Sequence, residues 1–223
     1  MGFAIEVVVA DAYELDAANY ISERLPQWGD IVLTGGTTAE ALYGELASCG
    51  ADWSRLTVYF SDERCVPPDD PRSNFGMARR LLLDRVRPGA VERMRGEEPP
   101  EIAAADYHQR IAPAATAGFD LVVLGMGADA HVCALFPSSP ALEVTGFFCV
   151  PVDRPDGLRG LTLTPPALRS AKRVVLIVTG EAKAEAVRRA VTGGEEPSSC
   201  PVRVLADHPD VTFLLDEAAS ARL

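Results

Sequence analysis

The 223-residue chain predicts an α/β fold: a doubly wound, mostly parallel sheet with helices on both faces. Three observations carry that expectation. The strand-like runs are apolar without alternation, as in "DLVVLGMG" (120–127) and "RVVLIVTG" (173–180), the pattern of strands covered on both faces. Amphipathic helix-like segments separate them. Polar loops follow three of the apolar runs directly, which puts those loops on the rim where such sheets bind ligands.

In order, "IEVVVA" (5–10) reads as a strand and residues 14–25 as an amphipathic helix. "DIVLTGG" (30–36) is a strand running into glycines, followed by a helix over 38–48. "LTVYFSD" (56–62) is a strand ending in a polar loop through Ser73, which caps a helix over 74–86 that Pro88-Gly89 stops. A helix over 102–113 precedes the strand 120–127, and 147–152 and 161–164 are shorter strands. The strand 173–180, a helix over 181–191, and a strand with a helix start over 211–219 complete the chain. No repeat, low-complexity tract or linker divides it, so residues 1–223 are expected to form one domain.

Composition narrows the function. With 48% hydrophobic and 24% charged residues, the chain has enough apolar material for a sizeable core. No long apolar run spans a membrane, and the N-terminus lacks the pattern of a signal peptide. Five cysteines without a CxxC pair point to reduced thiols in the cytoplasm, with neither a disulfide framework nor a metal site. A net charge of −11 disfavours nucleic acid and anionic membrane as partners but leaves room for a pocket that gathers positive groups around a small anion.

The first rim loop is "LTGGTTAEALY" (33–43). Gly35 and Gly36 allow a sharp turn, and Thr37 and Thr38 stand at a helix N-terminus; this is either an anion site or a plain helix cap. The second, "FSDERCVPPDDPRSN" (60–74), sets Asp62, Glu63 and Arg64 at a strand end. They read either as a base-orienting, oxyanion-stabilising pair or as a surface charge cluster, with Asp69 and Asp70 as solvated loop residues. The third, "LGMGADAHVCALFP" (124–137), holds His131, two residues after Asp129. An imidazole there suits a general base at neutral pH, with the carboxylate fixing its tautomer. Cys133 reads as a small packed residue rather than as a nucleophile. Lys183, in the first turn after the strand 173–180, is either an anion ligand or a solvated lysine. His108 is expected on an exposed helix face and His208 in a structural loop role.

Taken together, these motifs resemble the 6-phosphogluconolactonase family, related to glucosamine-6-phosphate deaminase. The family's Ser-Gly-Gly-Ser-Thr-Pro is similar to Thr34-Gly35-Gly36-Thr37-Thr38-Ala39. Its Asp-Glu-Arg, Val-Pro and Ser-Asn are matched by Asp62-Glu63-Arg64, Val66-Pro67 and Ser73-Asn74. Its Gly-Met-Gly-x-Asp-Gly-His and Leu-Phe-Pro are matched by Gly125-Met126-Gly127, Asp129, His131 and Leu135-Phe136-Pro137, and its Thr-Gly-Glu-x-Lys by Thr179-Gly180-Glu181 and Lys183. The resemblance runs along most of the chain in order.

It implies a Rossmann-like single domain that hydrolyses 6-phospho-D-glucono-1,5-lactone in the oxidative pentose phosphate pathway, without metal or other cofactor. The partner implied is that sugar-phosphate lactone, acted on by a cytoplasmic monomer or small homo-oligomer. His131 is implied as the base that activates water. Arg64 would place His131 and stabilise charge at the carbonyl, and Asp62 and Asp129 would orient those groups. Gly35, Gly36, Thr37, Thr38 and Lys183 are implied to hold the 6-phosphate. The deaminase branch is the alternative, but it shows Asp-Glu-Tyr where this chain has Arg64. A non-catalytic sugar-phosphate-binding protein is a further one.

Three departures from the family pattern stand out. Ala130 replaces the glycine before His131, at a cost on the order of 1 kcal/mol if the position needs positive φ, and Ala39 replaces the proline. Val132-Cys133-Ala134 stands for Thr-Ala-Ser. The family's Arg-x-Thr-Leu-Thr is Gly160-Leu161-Thr162-Leu163-Thr164, leaving Arg159, one place early, as the expected arginine at the phosphate.

Overall fold

The computed structural model describes residues 4–7 and 12–223, with side chains from residue 12 onward. The elements begin with β1 (Ala4–Val7), α1 (Tyr13–Ser22), β2 (Gly29–Leu33), α2 (Thr37–Leu46), β3 (Leu56–Phe60) and β4 (Asp62–Arg64). There follow α3 (Asn74–Ala78), a π turn (Arg79–Leu83), α4 (Asp84–Val86), β5 (Ala90–Val91), α5 (Pro100–Ala117) and β6 (Leu121–Gly125). The chain continues through β7 (Cys149–Asp153), β8 (Arg159–Leu163), α6 (Pro165–Arg169), β9 (Val174–Val178), α7 (Ala184–Thr192), β10 (Val211–Leu215) and α8 (Glu217–Ser220). Of the expected first strand, residues 8–10 lie outside the described residues.

Among the described residues, seven strands form one sheet in the order β1-β10-β9-β6-β2-β3-β5, and every pair in it is parallel. Successive strand residues face opposite sides. Ile31, Leu33, Val58, Phe60, Val175 and Ile177 pack with α1, α2 and α3, whereas Val32, Tyr59, Val174, Leu176 and Val178 pack with α5, α6 and α7. Both faces are therefore dry, which is why the strands carry no polar alternation. Strand order reverses between β2 and β6, so the loops leaving their carboxyl ends part to opposite faces and open a crevice between them.

Two elements depart from expectation. Asp62, read as the end of the strand 56–62, and Glu63-Arg64, read as polar loop, form a separate strand: β4 pairs antiparallel with β8, and β8 with β7, in a small second sheet. The helix expected over 74–86 forms, but through a π turn in its middle. Ser73 caps it as expected, its Oγ accepting from Gly76 N at 3.0 Å, and Arg87 closes it in the left-handed region. His108 is not on an open face: Phe148 N donates to its Nδ1 at 3.0 Å, and its ring packs on Phe147 and Phe148. His208 is structural, with Nε2 bonded to Ala171 O at 2.7 Å.

Candidate active site

The loop after β2 is fixed from within. Tyr43, in α2, donates its hydroxyl to Thr34 O at 2.5 Å and accepts from Thr34 N at 3.2 Å. Gly36 turns the chain at φ 92°, and α2 starts there without a side-chain cap, leaving its first N–H groups and the positive end of its dipole toward the crevice. Gly35 has no substitute: a Cβ would run into the Asn74 carboxamide. Across the crevice, Thr38 Oγ1 lies 2.9 Å from Thr179 Oγ1, and Lys183 closes the 3-10 turn that precedes α7. Lys183 therefore stands at that helix's N-cap, just ahead of the helical turn expected for it.

β4 divides its residues by the two-residue period of a strand. Asp62 and Arg64 face the cleft, while Glu63 points back under α3. There the buried Glu63 carboxylate accepts from the backbone N–H groups of Arg64, Asn74 and Phe75 and from Ser73 Oγ, all within 2.8–2.9 Å. Burial pushes its pKa up against the pull of those four donors. Arg64 donates from Nη1 to Asn74 Oδ1 and, at 3.3 Å, to Arg72 O. The expected contact between Arg64 and His131 is not among its hydrogen bonds; Asn74 holds the guanidinium instead. Asp62 accepts from Ser61 Oγ at 2.9 Å and lies 3.7 Å from Arg154 Nη1, so it orients neither His131 nor Arg64 directly.

The loop after β6 brings the expected pair together. His131 Nδ1 donates to Asp129 Oδ1 at 2.6 Å, the ring packs on Phe136 with centroids 4.7 Å apart, and the side chain is 30% exposed. With the Nδ1 proton held by a carboxylate, Nε2 of the neutral ring is the free acceptor. Gly127 must lack a side chain, since a Cβ there would strike the imidazole and the Asp129 carboxylate. Ala130 takes φ 67°, the left-handed conformation that favours glycine, at a cost of roughly 1 kcal/mol, and its methyl is fully buried. Cys133 is buried, which pushes its thiol pKa well up, in keeping with a packed residue.

The hydrogen bond to His131 depresses the Asp129 pKa to about 2. The unfolded chain binds more protons there between about pH 4 and that value, so this stabilisation is complete above about pH 4 and is lost as pH falls toward 2. In urea unfolding, wild type should therefore exceed Asp129→Asn by a margin that is steady near about pH 6 and shrinks below about pH 4. A margin unchanged at the acid end would rule out this hydrogen bond as its source.

One cleft gathers most of the expected residues: Gly35, Gly36, Thr37, Thr38, Asp62, Arg64, His131 and Lys183 all line it, with Asp129 behind His131. Arg159 does not. It is exposed at the outer end of β8 and bonded to Glu101 at 2.9 Å and Asp153 at 3.0 Å, because its side chain alternates away from the cleft. Arg154, which the sequence did not single out, lines the cleft instead, as does Asn74. Arg154 carried no local signal, sitting in the turn "DRPDGL"; Asn74 reads as helix start, and its one signal was the match of Ser73-Asn74 to the family's Ser-Asn. Three cations and one carboxylate face this cleft in a chain of net charge −11. It gathers positive charge beside a histidine.

Comparison with known proteins agrees with that geometry. Residues 7–213 match the family described as glucosamine-6-phosphate isomerases/6-phosphogluconolactonase. The 6-phosphogluconolactonase of Streptomyces coelicolor is 37% identical over 214 residues, covering 86% of this chain and 81% of its own. That of a Nostoc species is 35% identical over 204 residues, with 86% and 84% covered. The solved 6-phosphogluconolactonase of Shewanella baltica superposes with a TM-score of 0.85 at 26% identity, over 96% of this chain and 97% of that one. Ordered motifs, sheet topology and these relatives agree, and the chain belongs to the glucosamine-6-phosphate isomerase/6-phosphogluconolactonase family.

Proposed function

We propose that this protein is a 6-phosphogluconolactonase, hydrolysing 6-phospho-D-glucono-1,5-lactone to 6-phospho-D-gluconate with His131 as general base. The observation that carries the reading is the Asp129–His131 pair, its Nε2 free, on a cleft lined by Arg64, Arg154 and Lys183. His131 Nε2 takes a proton from water as the water oxygen bonds to the lactone carbonyl carbon. The carbonyl π electrons move to oxygen, and the Arg64 guanidinium stabilises the resulting oxyanion. When the tetrahedral intermediate collapses, the bond to the ring oxygen breaks and the His131 imidazolium returns its proton to that oxygen. The Asp129 carboxylate holds the tautomer and favours the transient imidazolium. The N–H groups at the start of α2, the Thr37 and Thr38 hydroxyls and Lys183 receive the 6-phosphate.

The enzyme is read as one catalytic domain over residues 1–223, acting in the cytoplasm, where its five free cysteines suit a reducing milieu. Among the described residues, no helix is long and apolar enough to cross a membrane. Lactone opening measured with the spontaneous rate subtracted tests the reading, with ammonia release from glucosamine 6-phosphate run in parallel. Acceleration of the first and none of the second is expected; the reverse would transfer the site to the deaminase branch.

A further inference from the structure

Arg154 leaves β7 at the start of the turn into β8, yet its side chain is only 9% exposed and lines the catalytic cleft. The turn is tied by hydrogen bonds from Arg154 N to Leu158 O and from Gly157 N to Arg154 O, both 3.0 Å. The guanidinium lies over the Phe136 ring, 5.5 Å from its centroid, and Phe136 in turn packs on His131. Two carboxylates stand near its charge, but its donors are mostly unused. Nε donates to Asp156, a 48% exposed carboxylate, at 3.2 Å, and Nη1 stands 3.7 Å from Asp62, beyond hydrogen-bond reach. A planar fork of five donors, nearly buried and making one hydrogen bond among the described residues, is suited to take a bidentate anion.

The path of the side chain explains Gly160. A Cβ at that position would come within 2.9 Å of Arg154 Cδ and 3.3 Å of its Cγ, so the absent side chain of β8 is the channel through which Arg154 reaches inward from β7. Residue 160 faces the cleft side of the same hairpin, opposite Arg64 on β4. Residue 159 points outward.

From this juxtaposition we propose that Arg154 is a specificity-determining residue that grips the substrate's phosphate dianion together with Lys183, exchanging Asp156 for it. The proposal rests on the lactonase reading for the identity of the substrate. Arg64 stays with Asn74 at the reacting end, and Arg154 and Lys183 supply two positive charges to match two negative ones.

The test is the ratio of kcat/KM for the phosphorylated lactone to that for unphosphorylated D-glucono-1,5-lactone, in wild type, Arg154→Ala and Arg154→Lys. Loss of a charge-assisted pair is expected to lower that ratio by about 10- to 100-fold in Arg154→Ala, mainly through KM for the phosphorylated substrate. Arg154→Lys should recover part of it. A ratio within about twofold of wild type in a normally folded Arg154→Ala protein, as judged by its thermal unfolding, overturns the proposal.

Calorimetric binding of the product 6-phosphogluconate against gluconate gives a readout that needs no turnover. Wild type should prefer the phosphorylated acid, and Arg154→Ala should lose that preference. If wild type shows the binding preference and Arg154→Ala loses it, but wild type does not hydrolyse the lactone, the catalytic reading fails while the role of Arg154 stands. The double variant Arg154→Ala/Gly160→Arg sends a guanidinium through the same channel from β8 and should regain at least about a third of the lost preference. A folded double variant without recovery also overturns the assignment.

Discussion

Replacing His131 with alanine should lower kcat/KM for lactone opening by about 10²–10⁴-fold, the range general acid–base groups contribute. The side chain is partly exposed and packs on one ring, Phe136, so stability should fall by no more than the Asp129 hydrogen bond contributes, and the loss of activity should appear in kcat. Asp129→Asn should cost less, because the imidazole remains and only its tautomer and orientation are disturbed. The two residues act as a unit, so the double variant should be no slower than His131→Ala alone. That non-additivity separates a base and its orienter from two independent contributors. A His131→Ala enzyme within tenfold of wild type would remove the base from the mechanism.

The largest effect on stability is expected at Glu63, which does not line the cleft. Its carboxylate satisfies the backbone N–H groups of Asn74 and Phe75 at the start of α3 and of Arg64 on β4, all of them buried or partly buried. Glu63→Ala strands all three, at about 1–3 kcal/mol for each donor that water does not rescue. A total near 3–5 kcal/mol corresponds to a fall in Tm of about 10 °C for a chain of this length. Glu63→Gln should cost less, since one carboxamide oxygen still accepts while its NH2 faces the Phe75 and Ser73 donors. Activity should fall in both, because Arg64 and Asn74 are positioned by the same carboxylate. Thermal unfolding measures the first effect and kcat/KM the second. A Glu63→Ala protein losing under about 1 kcal/mol would show that the α3 N-terminus does not depend on this anchor.

Why Glu63 escaped a role in the sequence also shows what sequence patterns convey. The parallel sheet was legible because Val174, Val175, Leu176, Ile177 and Val178 are buried on both faces, and a short apolar run of β-branched residues seldom forms except in a strand covered on both sides. The rim loops followed from strand direction, and His131 with Asp129 from their spacing of two. β4 was hidden because its residues have poor strand propensity; it exists through long-range pairing with β8. Without that strand, Asp62, Glu63 and Arg64 read as one charge cluster, although its alternation sends Glu63 to an opposite task. The Arg159 expectation failed for a related reason. A one-residue shift in a strand reverses the face, and the guanidinium at the cleft comes instead from Arg154, just past the end of the neighbouring strand.

Ala130 bears on how long the His131 loop waits in one shape. Its left-handed backbone costs about 1 kcal/mol, and enclosing its methyl offsets roughly 0.8 of that, so alanine and glycine lie close in folding free energy here. They differ in conformational breadth. Glycine at this site would have both signs of φ open to it, whereas an alanine held at φ 67° by the hydrogen bond from Val202 N to its carbonyl has few neighbouring wells. The loop is thereby narrowed around the conformer that carries the imidazole toward the cleft. What this position requires is a dihedral angle rather than a particular amino acid.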